Sequence, residues 1–299
     1  MTDSPSPLPF TGERFTPECV REIWYEHMHR YAFAHQFAAG KRVLDAACGE
    51  GYGSALLAQV AAQVVGVDIS DAAIAHARSR YSAQPRLAFQ CIDVTTLGEL
   101  PDASFDLIVS FETLEHVHAQ EAMLDGFERL LAPDGLLLIS SPDKRTYSDI
   151  PGYKNEHHVR ELYRDELESL LRTRFSALRL YAQKLLFQSV LWDPDHAPQG
   201  ATASTLRDGR IEPRLDYEAL YYLAICARSE ATLPVASGGL HLFGDHAESV
   251  YSHYNDEIRR HIAAGHRLLA QSEEIESLRA RLHACTTLLE KLQSQGRNP

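Results

Sequence analysis

Cysteine is sparse in this chain, and what there is has no pattern. The five residues (Cys19, Cys48, Cys91, Cys226, Cys285) are odd in number, scattered, and never in CxxC spacing. That argues against a disulfide framework or a zinc ribbon and fits a reducing compartment. Positive charge is also short, with 29 Lys and Arg against 41 Asp and Glu, a formal net charge of -12. Nucleic-acid affinity is dominated by Lys and Arg contacts to phosphate, so no nucleic-acid partner is expected, although a local basic pocket is compatible with this balance. No apolar run approaches the ~18 residues of a membrane span. The opening MTDSPSPLPF lacks the basic and apolar regions of a signal peptide. Together these absences predict a soluble, cytoplasmic protein.

What is present is an ordinary globular balance, 44% hydrophobic and 23% charged over 299 residues, enough for one large domain or two modest ones. Residues 1–11 read as a loose leader and 17–38 as a helix, giving an N-terminal leader and cap over 1–39. Short apolar runs then alternate with amphipathic stretches. RVLDAA (42–47), QVVGVDI (63–69), LAFQCI (87–92), FDLIVSF (105–111) and GLLLIS (135–140) read as strands. The segments between them read as helices, the last running to Pro133 and Gly135. Such alternation implies crossovers and a mostly parallel α/β sheet with helices on both faces. A helix (164–175) and two strands (177–187 and 218–228) follow, separated by a turn-rich stretch at 193–213 that reads as a long loop. The central domain is placed at 40–244. From about 245 the composition changes, and Leu268, Ile275, Leu282 and Leu289 recur every seven residues. Leu278, Cys285 and Leu292 follow three residues after the last three of them, and Gln271 is the polar seam position. This predicts a C-terminal long helix over 245–299, either a coiled coil giving a homo-oligomer or a coiled-coil partner, or a helix packed on its own domain.

The chemistry sits after the first strand, in Asp45-Ala-Ala-Cys-Gly49-Glu-Gly51-Tyr-Gly53. Glycines there let the backbone approach a ligand closely and free a helix N-terminus to face its polar end. Asp68, at the end of the second strand, suits a ribose diol, whose two hydroxyls both donate to one carboxylate. A dinucleotide fingerprint needs G-x-G-x-x-G, and Ser54 breaks that spacing. VLDAACGEGYG followed by VVGVDIS instead resembles the first two motifs of the class I S-adenosylmethionine-dependent methyltransferases. Asp93, FDLIVSFETLEHV and LLAPDGLLLIS resemble the family's later landmarks, so that the resemblance covers residues 40–185. It implies a Rossmann-like seven-stranded, mostly parallel sheet with its last strand reversed, and S-adenosyl-L-methionine as cofactor. Carried over residue by residue, it puts Asp45, Gly49 and Gly51 near the methionine part. Asp68 and Ile69 fall at the ribose, Asp93 and Val94 at the adenine, and Phe111 in the floor.

An aliphatic hydroxyl needs a base or a metal before it accepts a methyl group. Glu112, Glu115 and His116 stand at i, i+3 and i+4, so one helical turn would converge them into a site for Mg2+ or Mn2+. Resemblance to the ExxEH-and-later-His pattern of small-RNA 2′-O-methyltransferases, and to the ExxEH of ubiquinone-biosynthesis O-methyltransferases, adds His158 as a distal ligand. Alternatively His158 or His157 acts as a metal-free general base. GERFTPE with EHMHRYAFA resembles the N-terminal signature of bacterial methyltransferases from surface-polysaccharide and glycan gene clusters. That implies a lid in which Arg30 or Tyr31 meets the methionine carboxylate, and an acceptor segment in which Tyr147, Tyr153 and Lys154 contact a sugar. Lys144, Arg145 and Arg160 would accommodate phosphate on the acceptor. The leading expectation is O-methylation of a sugar, glycan intermediate or related small molecule, as in polysaccharide biosynthesis. N-methylation, a non-catalytic scaffold recruiting partners through the coiled coil, and a dinucleotide-dependent oxidoreductase are the rivals.

Overall fold

Apolar runs too short to stand alone pair into one sheet. The computed structural model describes residues 22–195, 200–234 and 239–295. The leader 1–11, Cys19, and residues 17–21 of the expected first helix lie outside them. Strands β1 (Arg42–Ala46), β2 (Gln63–Asp68), β3 (Leu87–Cys91), β4 (Phe105–Phe111), β5 (Leu131–Pro142), β6 (Ala177–Gln183) and β9 (Tyr221–Ala227) form a seven-stranded sheet in the order β3-β2-β1-β4-β5-β9-β6. The pairs from β3 through β5 are parallel, while β9 runs antiparallel to both β5 and β6. The order reverses between β1 and β4, and the crevice at the carboxyl ends beside such a switch is where open α/β sheets bind ligands.

Alternation along the strands divides the core into two layers. Val43 and Leu138 face one side with α1 (Glu22–Ala38) and α2 (Tyr52–Leu57). Leu44, Leu137 and Ile139 face the other with α4 (Gln120–Leu130) and α5 (Arg164–Arg172). The apolar stripe of α4, Met123, Leu124, Phe127 and Leu130, is completely buried there. Between β2 and β3, α3 (Asp71–Arg80) starts on Ser70, whose hydroxyl caps the Ala73 N–H.

Beyond element ends that move by a few residues, as where β6 stops at Gln183, the structure differs from expectation at two places. The fourth helix stops at Leu130 rather than at Pro133 and Gly135, because Leu131 is already extended and pairs with Phe105. The register then slips, so that Leu107 pairs with Leu136 and residues 132–135 form a bulge. The expected loop at 193–213 contains a two-stranded hairpin, β7 (Thr205–Arg207) and β8 (Arg210–Glu212). Its turn residues Asp208 and Gly209 both have positive φ, as a two-residue hairpin turn demands.

A second compact unit begins at Asp245 and holds one 47-residue helix, α6 (Ser249–Gln295). Among the described residues no helix is long and apolar enough to cross a membrane.

Candidate active site

Three strand ends carry the three acidic residues singled out above. Asp45 is fully buried, accepting hydrogen bonds from the Tyr31 hydroxyl at 3.0 Å and from Ser54 Oγ at 2.6 Å. Burial raises its carboxyl to about pH 6 even though both hydroxyls favour the anion. Beyond β1 the chain turns through positive φ at Ala47, Gly49 and Gly51. At Gly51 a Cβ would come within 2.4 Å of the Phe89 ring, and at Gly53 within 2.0 Å of the Tyr31 ring. Both positions therefore need glycine for close approach, and Gly51, at φ 84°, for backbone freedom as well.

Asp68 closes the loop from below. Its Oδ2 accepts the Gly49 N–H at 2.9 Å and its Oδ1 the Ser70 N–H at 2.8 Å. A carboxylate offers about four lone-pair sites, so capacity remains for a diol. Ile69, beside it, is 70% exposed, an apolar side chain held out at the carboxyl end of the sheet. Asp93 takes both the Thr95 N–H and hydroxyl on Oδ1, each at 2.8 Å. Val94 and Phe111 are buried, and Phe111 meets the Tyr31 ring edge-on at 5.1 Å.

Helix α1 covers this end of the sheet and brings in Arg30, which is 1% exposed. Its Nε donates to Gln183 Oε1 at 2.8 Å, and Gln183 Nε2 donates to the Glu26 carbonyl at 2.9 Å. The guanidinium lies 4.6 Å over the Tyr221 ring. It forms an ion pair with Glu112 at 3.6 Å, beyond hydrogen-bond reach, so Nη1 and Nη2 are buried without a hydrogen-bond partner. Buried donors left open in this way are rare and fit an anionic ligand. Tyr31 instead donates its hydroxyl hydrogen bond to Asp45. Gln183 and Tyr221 complete this arrangement; neither is singled out by the sequence, because their partners are distant in the chain.

The expected four-residue metal cluster forms only in part. Glu112, at φ 52° after β4, turns its carboxylate to Arg30 and to the Ser140 hydroxyl, which donates at 2.6 Å. Glu115, His116 and His158 do converge, with one ligand atom from each within 4.8 Å of the others. Glu115 is 1% exposed with neither carboxylate oxygen hydrogen-bonded, and burial pushes its carboxyl well up. His116 Nδ1 lies 3.1 Å from the His157 carbonyl, which only accepts, so a neutral ring leaves Nε2 as the acceptor, 3.8 Å from Glu115. The His157 backbone thus helps orient the cluster, while its side chain points to Glu156 at 3.9 Å.

His158 is fixed on both nitrogens. Nδ1 lies 2.5 Å from Glu161 Oε1 and Nε2 3.0 Å from the Asn155 amide nitrogen. The His157 N–H donates to Asn155 Oδ1, which sets the amide's orientation. Nδ1 therefore carries the proton and Nε2 accepts. The Tyr147 ring stacks on His158 at 5.3 Å. An open cavity of about 610 Å³ lies beside it, lined in part by Lys144, Tyr153, Lys154, Asn155 and Arg160. Arg145 instead pairs with Glu218 at 2.6 Å.

Residues 44–139 match a family model described as a methyltransferase domain. Over 175 residues the chain is 41% identical to a Mycolicibacterium smegmatis protein named "Probable S-adenosylmethionine-dependent methyltransferase", covering 56% of this chain and 65% of that one. A like-named Mycobacterium tuberculosis protein is also 41% identical, over 57% and 62%. A ubiquinone biosynthesis O-methyltransferase of Idiomarina loihiensis is 35% identical over 121 residues, 40% of this chain and 50% of that one. The chain spans less than two thirds of the length of these relatives. A chain from a Haloferax volcanii complex between a methyltransferase activator and a methyltransferase superposes with a TM-score of 0.50 at 17% identity, over 69% and 89%, a likeness of fold. Segment 44–139 thus matches a methyltransferase domain and contributes five strands to a seven-stranded Rossmann-like sheet, and the relatives it resembles bear the names of S-adenosylmethionine-dependent methyltransferases.

Proposed function

We propose that this protein transfers the methyl group of S-adenosyl-L-methionine to a hydroxyl of a small molecule, a sugar or glycan intermediate. The observation that carries the cofactor half is the row of Asp45, Asp68 and Asp93 at three adjacent strand ends around the glycine turn. When bound, the cofactor supplies an electrophilic methyl group on a sulfonium. The residues present fit it. Arg30 offers two open buried donors to a carboxylate, Asp68 has lone pairs left for a diol, and Asp93 has its hydrogen bonds confined to one oxygen. The chain's task is alignment and water exclusion, which in such displacements supply much of the rate.

The acceptor half rests on His158. With its proton on Nδ1 and Glu161 behind it, Nε2 takes the proton of an incoming hydroxyl, and Glu161 stabilises the imidazolium that results. The hydroxyl reaches Nε2 by displacing the Asn155 amide. Tyr153 and Lys154 line the adjoining cavity, a mixture of ring and donor that suits a sugar. His157 serves through its backbone rather than as the base.

A metal-assisted variant is favoured by one observation, the open buried carboxylate of Glu115 beside two imidazoles. Because Arg30 holds Glu112 away, the donor set is one carboxylate and two histidines. That set suits Mn2+ or another imidazole-accepting divalent ion better than Mg2+.

Calorimetric titration with S-adenosylhomocysteine, with NAD as control, tests the cofactor reading. Micromolar binding of the first alone is expected, and binding of neither or of NAD would overturn it. Repeating the titration with Mn2+ and after exhaustive chelation reports on the metal variant.

A further inference from the structure

A second cavity, of about 340 Å³, opens between α1 and the β6/β9 edge. We infer that it binds a flexible aliphatic chain, the apolar tail of the methyl acceptor. As a statement about the acceptor this rests on the methyl-transfer reading; as a binding site it stands by itself.

The walls carry the argument. Phe33, Tyr181, Leu185, Leu223, Leu240 and Leu242 present hydrocarbon to the space. The rings already meet one another edge-on, Phe33 with Tyr181 at 5.1 Å and with His241 at 4.7 Å, which leaves leucine methyl groups rather than a stacking platform. Three charged residues also line it: Glu218, paired with Arg145, Arg30, held by Glu112 and by Gln183 on Nε, and Lys184. His29 stacks on Phe243 at 5.6 Å, and burial followed by the neighbouring His241 and Arg30 lowers it to about 4, so its ring is uncharged at neutral pH. A polar handle is His241 Nε2, buried and without a hydrogen-bond partner, fit for a single hydroxyl or carbonyl on the ligand. The volume is at the low end of the ~300–1,000 Å³ of small-molecule pockets. It admits a chain and excludes a helix or second domain.

The surroundings point to the same class of ligand. The segment that supplies Leu185 and Leu186 continues into Val190, Leu191 and Trp192, which are 53%, 97% and 68% exposed. A run of exposed large apolar side chains leading out of an apolar cavity is the surface an amphiphile's tail would cross. The Tyr221 ring meets Arg30, which lines this cavity, and Tyr147, which stacks on His158 of the other. A polar head on one side and an apolar tail on the other suits the two linings.

Hexyl, octyl and decyl glucoside, each below its micelle concentration, provide the test by calorimetry on the full chain. Burial of each added methylene should tighten binding about four-fold until the cavity is full. Leu242→Arg and Leu215→Arg, at the cavity rim, should each weaken octyl glucoside at least ten-fold, and Leu206→Arg on the β7/β8 hairpin should not. Affinity independent of chain length, or equal in rim and hairpin variants, overturns the proposal. The chain-length series on the unsubstituted protein decides even if a variant fails to fold. Titration of the same samples with S-adenosylhomocysteine separates the two readings. Its binding without chain-length dependence removes the cavity proposal alone, whereas chain-dependent binding without it removes the methyl-transfer reading and leaves a site for apolar chains.

Discussion

Asp68 is the residue on which the cofactor reading turns, and its partners set what its loss should cost. Each carboxylate oxygen already holds one backbone N–H, from Gly49 and from Ser70, so the side chain both shapes the glycine turn and presents the remaining lone pairs outward. Asp68→Ala should weaken S-adenosylhomocysteine binding by ~1.5–3 kcal/mol, the scale of a hydrogen bond to a charged group. Circular dichroism should show the fold retained, since the substitution leaves the core strands intact. An unchanged affinity in a folded variant would mean that the ribose lies elsewhere. This residue was legible in the sequence because a strand end followed by an acidic side chain is a local signal. Arg30 was legible only as a candidate. What makes it convincing, Gln183 on its Nε and open donors on its other nitrogens, depends on a strand 153 residues away.

At the scale of elements, α1 is held over the sheet by buried titratable groups, and this gives stability a pH dependence. Burial raises Glu26 from 4.5 to about 7, with Arg30 opposing the shift. Asp45, to which α1 is tied through Tyr31, is raised from 3.8 to about 6. A carboxyl whose folded pKa lies above its unfolded value gives stability that is complete below the unfolded value and lost as pH rises through the folded one. These two carboxyls therefore give the melting temperature a component that falls from pH 5 to pH 7.5, against which His27 and His29 on the same helix, lowered by burial, contribute a rising one. Glu26→Gln should flatten the upper part of that slope, between about 4.5 and 7. A variant with the same slope as the parent would exclude Glu26 as its source. The same scale shows where sequence reading falls short. The parallel strands were readable because burial on both faces makes them continuous apolar runs. The β7/β8 hairpin was lost in a stretch crowded with turn formers, although Asp208-Gly209 between TLR and RIE is itself a hairpin signal. Pro133 and Gly135 read as the stop of the fourth helix, whereas they belong to the bulge that follows it.

The whole molecule adds a question that no single site answers, namely what meets the seam of α6. Leu268, Ile275, Leu278, Leu282 and Leu289 are 49–68% exposed and lie on one stripe at heptad spacing. A two-stranded coiled coil with a second copy would cover them, and the seam chemistry favours the parallel, in-register form. Ile275 at one seam position and Leu278 at the other is the combination that favours two parallel strands. In that register Gln271 meets Gln271 of the partner subunit and the two amides satisfy each other. In the antiparallel alignment that best matches the apolar residues, Gln271 would instead face a leucine. Glu274 and Arg279 fall at flanking positions that pair across a parallel dimer. Light scattering of the full chain should then give twice the 33.5 kDa of one copy, and Ile275→Lys with Leu282→Lys should return it to one. Cys285, exposed and on the seam, makes orientation testable. Mild oxidation should link it rapidly to Cys285 of the partner subunit in the parallel form, because the two occupy one layer. Antiparallel pairing in that alignment would place it opposite Ile275 and leave the chains unlinked. A single-copy mass for the unsubstituted chain would remove the dimer altogether, and a dimer that does not cross-link would keep the seam and reverse its direction.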